Sequence, residues 1–328
     1  MRPAATQVPA DPLERFVEIF ERLEVGRGWL ESADLLRHSA LLLTSIPGDV
    51  RDLAERLTTT AEELERSQPW WRRSSVGVLL AAQLLQSGTS VAEMQAEVER
   101  AGAMFRERWR LAGGSEEVLA ILTLAQSSAD GRVSREQYTR LVKIWDALNA
   151  DHPMLTQKSD WPMCALLSRT TGDPATIARR AEEIYTGLHA RGMRRGDELQ
   201  TAALVLVLQG EAAGTVCARF EALYSSFKES GLWMGTQDYD EIALLCLAPE
   251  PPPIVLSTVA RHRERIAALS PKPGKQTSFS LAAGTAQLEL SRGGAGAGML
   301  AQADAVLRIV GVLAAQRAAA VSASAAAT

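Results

Sequence analysis

The chain has 328 residues, with 35 Lys and Arg against 39 Asp and Glu, giving a net charge of −4. Hydrophobic residues make up 46% and aromatics 5%. That composition supports a buried core and excludes wholesale disorder, and the slight acidic excess argues against a general nucleic-acid binder. Cys164, Cys217 and Cys246 form no CxxC pair, which argues against a disulfide framework and a structural zinc site.

The N-terminus, MRPAATQVPADPLERF, holds no apolar core of signal-peptide length. The longest apolar stretches, Ala202–Leu208 and Val306–Ala315, fall short of the ~20 residues that a membrane span requires. The expectation is a soluble, cytoplasmic chain. Strand signals are almost absent, and helical periodicity runs throughout, as in Ile177, Ala181, Ile184, Tyr185 and Leu188.

In chain order, a helix Pro12–Leu23 comes first. It has no partner of its own and is expected to cap the first unit of a repeat. Each unit holds an apolar helix, a tight Gly/Pro/Asp turn and an amphipathic helix. The turn markers Gly48, Gly88, Gly131, Gly172, Gly210 and Pro249 are separated by steps of 40, 43, 41, 38 and 39 residues. The junctions between units keep a similar step, with Trp29, Trp71, Trp109, Met154, Met193 and Trp233 separated by 42, 38, 45, 39 and 40. A degenerate last pair is expected within 271–328, turning at Gly293–Gly298 and returning along an Ala-rich helix. A length that by itself suggests about two domains thus becomes one helical-repeat domain, 1–328, of about seven helix pairs.

The first helices are the more apolar, as in Ala203–Leu208 and Ile242–Leu247, and the second helices carry the charge. An open α-solenoid and a closed α/α toroid both predict this asymmetry.

At His152–Leu208 the sequence becomes specific. HPMLTQKSDWPMCALL, IYTGLHARG and RGDELQ followed by an apolar helix resemble a bacterial family known only as a domain of unknown function, DUF4003. The Ala-rich ending, AAQRAAAVSASAAAT, is similar to the endings of that family too. The resemblance implies an all-helical bacterial cytoplasmic protein. It brings no activity, cofactor or catalytic residue with it.

Three groups of residues could carry chemistry. Asp34, Asp160, Asp197, Asp238 and Asp240 stand at the starts of first helices. There they could form a carboxylate cluster for acid–base or metal chemistry, or serve as ordinary helix caps. The junction loops carry basic pairs, Arg72-Arg73 and Arg194-Arg195, whereas the intra-pair turns carry Asp49, Asp130, Asp173, Glu211 and Glu250. One edge is therefore expected to be basic and the other acidic, either to hold an anion or to complement helix dipoles. The tryptophans near unit boundaries, including Trp71, Trp161 and Trp233, could line a ligand site or act as packing wedges. The four histidines share no metal spacing and read as packed or surface residues, with His38 and Asp34 placed to pair.

The leading expectation is a non-catalytic helical-repeat binding protein. It would recognise a protein, a peptide or a small anionic ligand through Trp71, Arg72, Arg73, Trp161, Arg194, Arg195 and Trp233, without metal or cofactor. The alternative is a toroidal enzyme, terpene cyclase-like or sugar-active, using Asp160, Asp197, Asp238 and Asp240, and only this reading calls for Mg. A third expectation is a homodimer formed through the C-terminal helix.

Overall fold

The computed structural model describes residues 9–26, 32–67, 76–109, 113–128, 130–232, 234–291, 308–314 and 317. These residues are all-α, with no strand among them. Helix α1 (Pro12–Val25) precedes a series of pairs. The first helices are α2 (Ala33–Leu43), α4 (Gly77–Ser87), α6 (Ser115–Ala125), α8 (Trp161–Leu167), α10 (Asp197–Val207), α12 (Tyr239–Leu245) and α14 (Lys275–Leu290). The second helices are α3 (Val50–Ser67), α5 (Val91–Arg108), α7 (Arg135–Asp151), α9 (Pro174–Ala190), α11 (Ala213–Glu229) and α13 (Pro252–Ala267).

The apolar first helices are short and enclosed, and every residue of α8 and α12 is buried. The second helices bury one stripe, as α9 does with Ile177, Ala181, Ile184, Tyr185 and Leu188. The marker glycines close the turns as the spacing predicts. Gly88 and Gly210 have φ of 68° and 75°, a left-handed conformation that side-chain-bearing residues adopt only at a cost.

Acidic residues of the intra-pair turns start the second helices. Asp173 accepts the amides of Ala175 and Thr176 at 2.9 and 3.4 Å, Asp49 that of Arg51 at 2.8 Å, and Asp11 caps α1 through Glu14 at 3.0 Å. Ser134 and Gln137 form a full capping box on α7. Basic residues close the last turns of several of these helices: Arg66, Arg106, Arg108, Lys228 and Arg265.

The chain divides into two compact units. Unit 1 combines Met1–Ala96 with Val259–Thr328, and unit 2 is Glu97–Thr258. In unit 2 the first helices pack side by side, α6 on α8, α8 on α10 and α10 on α12, and the second helices form an adjoining layer, α7 on α9 and α9 on α11.

Unit 1 joins the two ends of the sequence, with α14 packed on α1 and α2. The Arg37 side chain, 2% exposed, pairs with Asp34 at 2.5 Å, donates to the carbonyl of Pro271 and lies 4.8 Å from the Phe20 ring centroid. Thr277 Oγ1 donates to the other Asp34 oxygen at 2.9 Å. The expected Asp34–His38 carboxylate pair is thus replaced: Arg37 takes the carboxylate, and His38 Nδ1 meets the Asp34 carbonyl at 2.7 Å. Residues 308–314 are helical and bury Ile309, Val310, Val312 and Leu313. The expected glycine turn at Gly293–Gly298 lies outside the described residues.

A second periodic feature holds the pairs together. The last carbonyls of an α-helix have no partner within it. In this chain the amides of the following turn take several of them, and an arginine from the preceding helix of the outer layer reaches the carbonyls of the turn itself. Arg140 of α7 donates to Ser168, Thr170 and Gly172 O at 2.8, 2.7 and 2.7 Å, bracketing the end of α8. Arg15 of α1 does the same at Thr44, Ile46 and Gly48 O after α2, at 3.1, 2.6 and 3.1 Å. Arg219 of α11 reaches Ala248 O after α12, and Arg100 of α5 reaches Val133 O at 2.7 Å. The guanidinium suits this task because its donors form a fixed fork and its charge faces the negative end of the helix.

Replacing Arg140 with Leu is expected to lower unfolding stability by about 2–3 kcal/mol in denaturant titrations, since three carbonyls lose a charged donor. Replacing Arg179, which forms an exposed pair with Glu183, is expected to cost no more than about 0.5 kcal/mol.

Candidate functional site

The starts of the first helices in unit 2 form a polar edge on an otherwise apolar layer. Glu117, Asp160, Gln200, Asp238, Asp240 and Glu241 are all less than 10% exposed. Two of these acids have a clear local role. The 3₁₀ turn Lys158–Asp160 leads into α8, and Asp160 Oδ2 accepts the Gln157 amide at 2.7 Å. The turn Thr236–Asp238 leads into α12, and Asp238 Oδ2 accepts the Gly235 amide at 2.7 Å. The two turns are repeat-equivalent, and in both the carboxylate reaches back to close the turn, the return half of a capping box.

Burial nevertheless has a consequence at Asp160. Loss of hydration outweighs the Gln157 amide bond, and the nearby Asp197 carboxylate adds repulsion, so the Asp160 pKa rises to about 6. Asp197 itself is raised by partial burial and by Glu198. Glu117 is also raised by burial, against the opposing pull of the Gly113 amide, Arg106 and Lys158. Among the described residues, no group of three or more His, Cys, Asp or Glu side chains is arranged to hold a metal ion.

Trp161 is 2% exposed and packs within an aromatic cluster, 4.4 Å from the Trp109 ring and 5.4 Å from that of Phe105. Tyr138 and Trp145 extend the cluster against Trp109. The Lys158 ammonium lies 5.4 Å from the Trp161 ring centroid and donates to Gly113 O at 2.5 Å. Arg194 and Arg195 are exposed, on the loop between α9 and α10. That loop is anchored by Tyr239 OH, which accepts the Arg194 amide at 3.1 Å, and by the His189 ring, 2.9 Å from Met193 O. Trp71, Arg72, Arg73 and Trp233 lie outside the described residues, as does Trp29.

The expected charge separation between the two edges is mixed, because the arginine brackets bring guanidinium groups to the intra-pair turns. One polar groove of about 580 Å³ on that edge is lined by Arg100, Arg132 and Arg140 together with Asp130 and Glu136.

A further cluster is not visible from residue spacing. His152, at the C-terminal cap of α7, pairs through Nε2 with Glu182 of α9, and its ring lies 4.7 Å from that of Tyr185. Gln200, in the first turn of α10, donates through Nε2 to Thr156 Oγ1 at 3.3 Å, and its Oε1 is buried without a partner. A buried polar atom left unpaired costs about 1–3 kcal/mol. A signal is nonetheless present, since His152 and Thr156 lie in HPMLT, Tyr185 in IYTGLHARG and Gln200 in RGDELQ. The three stretches that carry the family resemblance meet at this place. Histidine spacing alone does not show it, because the partner carboxylate is 30 residues away on another helix.

For Asp160 the sign of the pH effect follows from the raised pKa: the folded state binds the proton more tightly than the unfolded chain, so acidification favours folding. As pH falls from 7 to 4, the stability difference between the native chain and Asp160→Asn is expected to shift by about 2 kcal/mol in favour of the native chain. Urea titrations of both proteins across that range would check it, and a constant difference would contradict it.

Residues 117–269 match the DUF4003 family, described as a protein of unknown function. An uncharacterised protein of Bacillus subtilis (strain 168), YeaA, is 25% identical over 134 residues, covering 40% of this chain and 40% of that relative. No solved structure matches the chain. The stretch similar to the DUF4003 family, Glu117 to Leu269, contains the whole His152–Gln200 cluster.

Proposed function

We propose that the chain is a non-catalytic helical-repeat binding protein whose junction edge takes an anionic ligand or an acidic peptide. The observation that carries this reading is the exposed Arg194-Arg195 pair on a loop held from both sides by Tyr239 OH and His189. Two adjacent guanidinium groups on a fixed backbone suit carboxylates or phosphates, because little ordering is needed on binding. The carboxylates that could have served catalysis support the same reading. Asp160 and Asp238 each accept an amide of their own turn. Among the described residues no helix is long and apolar enough to cross a membrane.

A second reading, an enzyme using Asp160 as a general acid with Asp197 beside it, draws on the pKa of about 6 at Asp160. The 7% exposure of Asp160 weighs against it, since a reacting group must reach the proton.

Fluorescence anisotropy with a labelled octaglutamate peptide tests the binding reading, with octalysine as control. The intact chain is expected to bind the acidic peptide in a salt-sensitive manner. Arg194→Glu with Arg195→Glu is expected to weaken binding at least about tenfold. Absence of binding, or equal affinity in the double variant, would overturn the proposal.

A further inference from the structure

We infer that the cavity between His152, Glu182 and Gln200 is a binding site for a primary ammonium group, such as the end of an alkylamine or a lysine-like side chain. The cavity lies within unit 2, between the end of α7, the middle of α9 and the first turn of α10. It measures about 10 Å³, room for one group the size of a water molecule or an ammonium. Leu148, Ala178, Ala181, Ala203 and Leu204 give it apolar walls.

Its surface is mostly apolar, and the polar groups among its lining residues include acceptors. Glu182, whose Oε2 is paired with His152, and the exposed Asp151 are its acidic lining residues. Gln200 contributes Oε1, which is buried without a partner on a residue only 5% exposed. The Gln200 amide is oriented by its own donation to Thr156, which leaves the carbonyl oxygen free to accept. Tyr185 and His152 add aromatic faces, their rings 4.7 Å apart. Carboxylates, an unpaired carbonyl and aromatic faces around a small space favour a compact cation with several donors. An anion would meet the carboxylates at close range. A hydroxyl brings one donor and no charge. A metal ion would need a ligand cluster of a kind that is absent among the described residues.

The site is separate from the Arg194-Arg195 loop, so this inference stands or falls independently of the anion-binding proposal. Calorimetric titration of the full chain with n-propylammonium chloride tests it, with 1-propanol, tetramethylammonium chloride and potassium chloride as parallel arms. Saturable binding is expected for n-propylammonium alone, weakened at least about tenfold by Gln200→Leu and by Glu182→Gln. It is expected to be unchanged in the Arg194→Glu, Arg195→Glu double variant. Circular dichroism melts identify any variant that fails to fold, and the remaining one then decides. No saturable binding of n-propylammonium, an equal response to 1-propanol, tetramethylammonium or potassium chloride, or full affinity retained in a folded Gln200→Leu or Glu182→Gln protein would overturn the inference.

Discussion

The carbonyls of the turn that follows a short buried helix are the constraint around which this protein is organised. The last carbonyls of α8 accept amides of the turn that follows, so the turn's own carbonyls, at Ser168, Thr170 and Gly172, are the ones that take a donor from elsewhere. Arg15, Arg140 and Arg219 answer this by extending a guanidinium from the neighbouring outer-layer helix to the end of the first helix. The bond does two things at once: it closes the polar ends of the inner layer, and it fixes the register between one pair and the next. Arg100, Arg140 and Arg219 lie 40 and 79 residues apart, one and two steps of the unit, and Arg180 stands at the intervening place in α9, where its Nε and one terminal nitrogen are buried without a partner.

Much of this is legible in the sequence, because helices and tight turns are specified locally. The apolar periodicity places the helices. The spacing of Gly48, Gly88, Gly131, Gly172 and Gly210 places the turns, since the left-handed backbone demands glycine and so leaves a mark at a fixed position. Asp173 and Asp49 act as caps for the same reason, their partners being two or three residues away. The arginine brackets are also written in the sequence as a period. A period in arginine is ambiguous, however, because the same side chain serves as readily in a solvated helix face.

Interactions between distant residues are hidden from it. Arg37 and His38 are both within reach of Asp34 by spacing, and nothing near Asp34 announces that Thr277 of α14, more than two hundred residues later, takes its other oxygen. His152 has the look of an ordinary loop histidine because Glu182 belongs to another helix. Trp161 fits the pattern of a wedge and that of a ligand contact equally well. Its position in a cluster of five aromatics, at 2% exposure, reflects the local concentration of Phe105, Trp109, Tyr138 and Trp145, which only the fold brings together.

The composition of unit 1 bears on how the chain acquires its structure. Glu14 bonds Arg265 and Asp34 bonds Thr277, contacts 251 and 243 residues apart. A polypeptide emerging from the ribosome presents α1 and α2 long before α13 and α14 exist, so their docking faces must wait, apolar and uncovered, through the synthesis of everything between. Unit 2 is contiguous in sequence and meets no such delay. The middle of the chain can therefore fold while the beginning still lacks its partner. Closure of unit 1 is expected to come last, as a slow long-range step, and the interval before it is when a chaperone or a neighbouring nascent chain would find the most to hold.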